Sequence, residues 1–98
     1  MNMQAMLKQA QKLQKDMLEE QEKINNKEFV GKSSIVTVIM TGEKQLKEVK
    51  IDSQKLELDD VEFLQDMIVI AVNDAIKQIN EETENKMGKY TKGMPGLF

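Results

Sequence analysis

The 98 residues predict an α+β fold, an α-β-β-β-α unit with a three-stranded antiparallel sheet and two long helices. Three observations carry that prediction. Apolar residues recur at helical spacing through the first 25 positions, the period changes to two between 28 and 51, and a strongly apolar stretch opens a second helix near 59. One domain is expected over 1–98: helix 1–25, sheet 28–51, helix 59–87 and a flexible tail 88–98.

The first helix is read from Met3, Met6, Ala10, Leu13, Met17 and Ile24, spaced by alternating threes and fours with Glu20 as the one break. No Pro or Gly occurs before Gly31. Lys8, Lys12 and Lys15 fall at i, i+4 and i+7, on the side away from that seam. A helix from 2 to 25 is about 36 Å long. It is too polar on its outer side to be buried all round, so it needs a partner. Methionine stripes of this kind sometimes bind varied partners, and more often are core.

Asn25 and Asn26 break the pattern. Phe29 and Val30 before Gly31 predict a short first strand, and Gly31-Lys32-Ser33-Ser34 a tight link. Ile35-Val36-Thr37-Val38-Ile39-Met40 is β-branched and apolar on both faces except Thr37, which predicts a central, well-covered strand. Thr41-Gly42-Glu43-Lys44 is a turn. Lys47, Val49 and Ile51 alternate with Glu48 and Lys50 in a half-exposed third strand, where Leu46 is out of phase with Val49 and Ile51 and marks a bulge or the turn's end.

Asp59 with Glu62 three residues on resembles a capping box at the start of the second helix. From 61 to 79 that helix is apolar around most of its circumference. One three-stranded sheet does not cover so much. Phe63, Leu64, Met67, Ile68, Ile70, Ala71 and Ala75 are therefore expected to meet a second subunit. From Asn80 the helix turns polar and is expected to project.

Composition excludes several chemistries. With no Cys and no His, nucleophilic catalysis by the usual pairs and the commonest transition-metal ligands are absent. Lys32-Ser33-Ser34 could be imagined as a Ser–Lys pair, but a polar turn explains it better. Asp59, Asp60 and Glu62 could be a cation site, but a capped helix start suffices. Asn73 and Asp74 are expected to be structural. No catalytic residue, metal, cofactor or small-molecule substrate is expected, and the chain does not read as an enzyme. The longest apolar run, 67–72, is far too short for a bilayer. The N-terminus does not read as a signal peptide, so a cytoplasmic location is expected and no membrane partner.

Charge is segregated. Residues 1–15 hold Lys8, Lys12 and Lys15 and no acid, and residues 86–98 hold Lys86, Lys89 and Lys92 and no acid. Between them eight lysines stand against all seventeen acids, leaving −9. A lone surface lysine means little, but two basic ends around an acidic middle suit a protein that touches a polyanion at chosen points. Every basic residue is Lys, which makes point contacts with phosphate and reads guanine edges less well than Arg.

The stretch Met6-Leu7-Lys8-Gln9-Ala10-Gln11-Lys12-Leu13-Gln14, the segment KEVKID at 47–52, Asn73-Asp74-Ala75 and the closing Gly93-Met94-Pro95-Gly96-Leu97-Phe98 together resemble the YbaB/EbfC family of bacterial nucleoid-associated proteins. The resemblance spans nearly the whole chain. It implies an intertwined homodimer with projecting helices, double-stranded DNA as partner, and a place in the nucleoid. On the matching positions it assigns DNA contact to Lys8, Lys12, Lys15, Lys86, Lys89 and Lys92. The expected function is DNA binding of low sequence specificity that bends or compacts the duplex through lysine–phosphate contacts, with possible effects on gene expression. The alternative is a protein-interaction or chaperone-like helical clamp without direct DNA binding.

Overall fold

A computed structural model describes residues 2–55 and 59–93, with side chains as far as Tyr90. The order is α1 (Met3–Asn26), β1 (Glu28–Ser33), β2 (Val36–Thr41), β3 (Leu46–Ile51), a short 3₁₀ turn (Ser53–Lys55) and α2 (Val61–Gly93). The sheet is antiparallel in the order β1-β2-β3, as the alternation predicts.

Asn2 caps α1. Its Oδ1 accepts from the amides of Gln4 at 3.0 Å and Ala5 at 3.4 Å, relieving two of the unpaired donors at a helix start. The first hairpin is tighter than the sequence reading had it. Gly31 and Lys32 belong to β1, and only Ser34 (φ 50°) and Ile35 turn the chain. Between β2 and β3 the register slips at Ile39/Met40, so that Lys47 is an extra residue on β3. That bulge accounts for Leu46. It returns Leu46 to the face shared by Val49 and Ile51, all three opposite inward-facing residues of β2.

The core is small. Val36, Val38, Ile79, Ala71 and Ala75 are sealed from solvent, with Ile24, Phe29 and Met40 beside them. Each large side chain among them contributes roughly 1.5–3 kcal/mol by leaving water. Two glycines permit the close packing. A Cβ on Gly31 would stand 2.1 Å from the carbonyl oxygen of Ala71, so β1 and α2 touch backbone to backbone there. A Cβ on Gly42 would stand 1.8 Å from the carbonyl oxygen of Ile24, so it is the close approach of the end of α1 that requires Gly42.

α2 lies over β1 and β2, and β3 carries no helix. All six residues of β3 are exposed. β2 is central but only one of its faces is fully buried, where the sequence predicted cover on both. The difference has a simple cause. A helix about 10 Å wide spans two strands set 4.8 Å apart and leaves the third bare. Two further corrections concern α2. It starts at Val61, directly after Asp60, so the Asp59–Glu62 box is not its cap. It also continues to Gly93, six residues past the expected end and through Gly88. The rest of the expected tail, 94–98, lies outside the described residues.

Candidate nucleic-acid interface

Contacts between β1 and α2 establish direction. Ser33 meets Met67, Lys32 meets Asp74, Val30 meets Gln78, and just before β1, Lys27 pairs with Glu82. The chain entering β1 therefore runs opposite to α2. α1 packs against α2 beyond that point. Only eleven residues of α2 follow Glu82, about 16 Å of helix, whereas α1 is about 36 Å long. The N-terminal part of α1 thus extends about 20 Å past the end of α2. The molecule's long dimension, 71 Å, agrees, since α2 alone accounts for about 50 Å.

The result is an arm. Every residue from Asn2 to Lys12 is exposed, Leu13 and Met17 are half-buried on the side toward α2, and Ile24 is buried. Lys8, Lys12 and Lys15 are exposed on the other side. The first turn contains no acid, so the positive end of the helix dipole is not offset at the tip of the arm. The ion pairs among the described residues use Lys27, Lys47, Lys50 and Lys55, all from the acidic middle. None uses Lys8, Lys12, Lys15, Lys86 or Lys89. The terminal lysines are thus open to an external anion, as are Lys23, Lys32, Lys44 and Lys77 of the middle segment, which are exposed and in no ion pair among the described residues but stand among the acids.

Lys86 and Lys89 are exposed near the end of α2, and the Lys89 Nζ lies 5.0 Å from the centroid of the buried Tyr90 ring. Positive charge in the last turns also offsets the negative helix end, so these two have a structural use besides. Lys92 is in the last turn of α2, but its side chain lies outside the described residues.

The seven residues expected at a subunit interface separate into three groups. Phe63 and Ile70 are exposed, at 47% and 50%. Leu64, Met67 and Ile68 are half-buried against the chain's own core. Ala71 and Ala75 are fully buried and correct the expectation: they form the floor on which Gly31 of β1 rests, and have no surface left for a partner. The sequence reading missed a different apolar strip. Leu46, Val49 and Ile51 on bare β3 are exposed, as are Val61 and Val69 on α2. Asp74 and Gln78 point toward β1, so Val69, Val72 and Ile76 occupy the opposite flank of the helix, the one toward β3. The alternation in β3 was visible; that no helix would cover it was not.

Of the pair Asn73-Asp74, Asp74 has the structural use expected, while Asn73 is exposed. Asp74 Oδ2 accepts from the Lys32 amide at 3.0 Å, and Gln78 Nε2 donates to the Val30 carbonyl at 2.8 Å. These side chains satisfy the outer edge of β1 and close it to further strand pairing. Ser33 Oγ contacts Met67 Sδ at 3.2 Å, and not a lysine, so the Ser–Lys pair does not form. Among the described residues, no three acids gather where they could hold a metal ion, and no helix is long and apolar enough to cross a membrane.

Comparison with known proteins agrees with this geometry. A family model described as the YbaB/EbfC DNA-binding family matches residues 1–94. A nucleoid-associated protein of Enterococcus faecalis is 48% identical over 98% of this chain and 94% of its own length. Another, from Lactococcus lactis subsp. cremoris, is 54% identical over 97% of this chain and 98% of its own. The crystal structure of an uncharacterized protein from Helicobacter pylori superposes with a TM-score of 0.73, covering 91% of this chain and 96% of that one. At 24% identity that likeness speaks for the fold alone.

Proposed function

From its place in the YbaB/EbfC DNA-binding family, to which the chain belongs, we propose that it is a nucleoid-associated protein that grips double-stranded DNA as a homodimer, without catalysis. The family is one of DNA-binding proteins and not of enzymes. The observation that carries the proposal is the arm: about 20 Å of helix standing clear of an acidic body, free of acids, with Lys8, Lys12 and Lys15 exposed and unpaired among the described residues.

Self-association is supported by the bare third of the sheet. The outer edge of β1 is closed by Asp74 and Gln78, so a second copy approaches from the β3 side. There it covers Leu46, Val49, Ile51 and the Val61–Val69 flank of α2. Two subunits joined so carry two lysine arms, and the −9 of the middle segment repels the duplex everywhere else. Contacts of lysine to phosphate position a protein without specifying sequence. Low sequence preference, with bending or compaction as two arms engage one duplex, follows. The place of action is then the nucleoid, in the cytoplasm.

A gel-shift titration with a short duplex at several salt concentrations tests this. A shift at low salt that weakens steeply as salt rises is expected. No shift, or one indifferent to salt, overturns the proposal. The apolar side of the arm favours a second reading, a clamp for a partner protein. Lys8, Lys12 and Lys15 all changed to Glu separate the two, since DNA binding is abolished and a hydrophobic contact is spared.

A further inference from the structure

The basic stripe of α1 does not fade beyond Lys15; its charge reverses. In steps of four and three along one face, Lys8, Lys12 and Lys15 are followed by Glu19, Glu22 and Asn26. All six are exposed, on the side away from Leu13, Met17 and Ile24. Glu19, Glu22 and Asn26, with Lys23 beside them, line a shallow concavity of about 270 Å³. The charged residues of 1–15 are three lysines, and those of 16–22 are four acids, Asp16, Glu19, Glu20 and Glu22. Neither Glu19 nor Glu22 is in an ion pair among the described residues, so neither serves to tie the helix to its neighbours. The reversal falls where the arm changes its build. Lys27 meets Glu82 and the two helices run in opposite directions, so Gly93 is level with about residue 16 of α1. Lysines occupy the single-helix tip, and acids begin where α2 comes alongside.

We infer that Glu19 and Glu22 are a stop. They confine the duplex to the tip of the arm, where it crosses α1 at Lys8, Lys12 and Lys15, and keep it from lying along the outer face toward the body. The inference rests on the DNA-binding reading and adds to it the place where contact ends. Lys8 and Lys15 are about 10 Å apart along the helix, and Glu19 and Glu22 follow about 6 and about 10 Å beyond Lys15. A phosphate on Lys15 therefore has the Glu19 carboxylate within the screening length of about 8 Å at physiological salt. A duplex that moved inward would exchange lysine contacts for carboxylates on the same face, losing an attraction and meeting a repulsion at each step. Lys23 does not undo this, since residues 16–23 still sum to −3. Lys86 and Lys89 stand near the same level but on α2, across the arm from the acids, so the stop governs the outer face of α1 alone.

The test is fluorescence anisotropy with a labelled duplex over a series of salt concentrations, on the full chain and three variants whose fold is checked by circular dichroism. Glu19→Gln with Glu22→Gln should bind about tenfold tighter at about 50 mM salt, because the four carboxylates of a dimer no longer stand beside the contact. Glu43→Gln with Asp66→Asn removes the same charge away from the stripe and should gain less than about twofold. Glu43 follows Gly42 at the inner end of α1, and Asp66 is about 24 Å of helix before Glu82. Both are exposed and in no ion pair among the described residues. Glu19→Lys with Glu22→Lys extends the basic stripe inward, and the plot of log K against log salt should steepen by about 3 to 4 as up to four phosphates are added. Equal gains from the two neutralised pairs would mean that net charge alone acts, and overturn the inference. A slope unchanged by the two new lysines overturns it as well. Either result, in a chain that still binds with steep salt dependence, leaves the DNA-binding reading standing, whereas an unmodified chain that binds no duplex overturns both.

Discussion

Replacing Lys8, Lys12 and Lys15 together by Gln removes three charges from each arm and keeps side chains of similar length. All three are exposed and none is in an ion pair among the described residues, so stability should change by less than about 0.5 kcal/mol. The effect belongs in the salt dependence of DNA binding. If both subunits of a dimer place these lysines with Lys86 and Lys89 on phosphates, about ten contacts form. The plot of log K against log salt then has a slope near −9. The variant keeps about four contacts, and its slope falls to about −4. Between about 50 and about 200 mM salt the unmodified protein loses on the order of 10⁵ in affinity and the variant on the order of 10². Fluorescence anisotropy with a labelled duplex, repeated at five or six salt concentrations, measures both slopes. Equal slopes would mean that these lysines are ordinary solvated charges, and the reasoning from the arm would be wrong.

Three other substitutions probe what holds the arm in place. Gly31→Ala forces a Cβ to 2.1 Å from the Ala71 carbonyl oxygen, and urea unfolding should show a loss of about 3 kcal/mol as β1 lifts from α2. Asp74→Ala leaves the Lys32 amide at the edge of β1 without its acceptor; a loss of about 1–2 kcal/mol is expected, with Asp74→Asn recovering most of it. Val49→Asp combined with Val69→Asp places charge on the bare β3 side without touching the core; sedimentation should report a dimer for the unmodified chain, as proposed, and a folded monomer for the variant.

Much of the architecture is legible without coordinates because its signals are local. The shift of period at 28 announces the sheet, and Leu46 out of step with Val49 and Ile51 marked a bulge or the turn's end, of which the structure has the bulge, at Lys47. Lysine segregation is equally local and directs attention to the ends of the chain. The lower helix boundary near 87 was wrong for an understandable reason. Gly88 and a polar run look like a stop, yet packing of the buried Tyr90 region carries α2 to Gly93.

Periodicity says that a residue belongs to an apolar face and nothing about how wide a neighbour that face will meet. From the sequence alone, Ala71, Ala75, Phe63 and Ile70 are equivalent members of an apolar surplus on the second helix. Tertiary structure separated them. Backbone contact at Gly31 draws α2 over β1 and β2, so the two alanines vanish into the core while Phe63 and Ile70 stay outside and β3 is left uncovered. The arm was settled in the same way. The order of residues determined two helices and a basic stripe, but only the level at which Lys27 meets Glu82 decided that one helix would outrun the other. That offset depends on how the sheet and the helices dock, a relation between distant segments that no local pattern encodes.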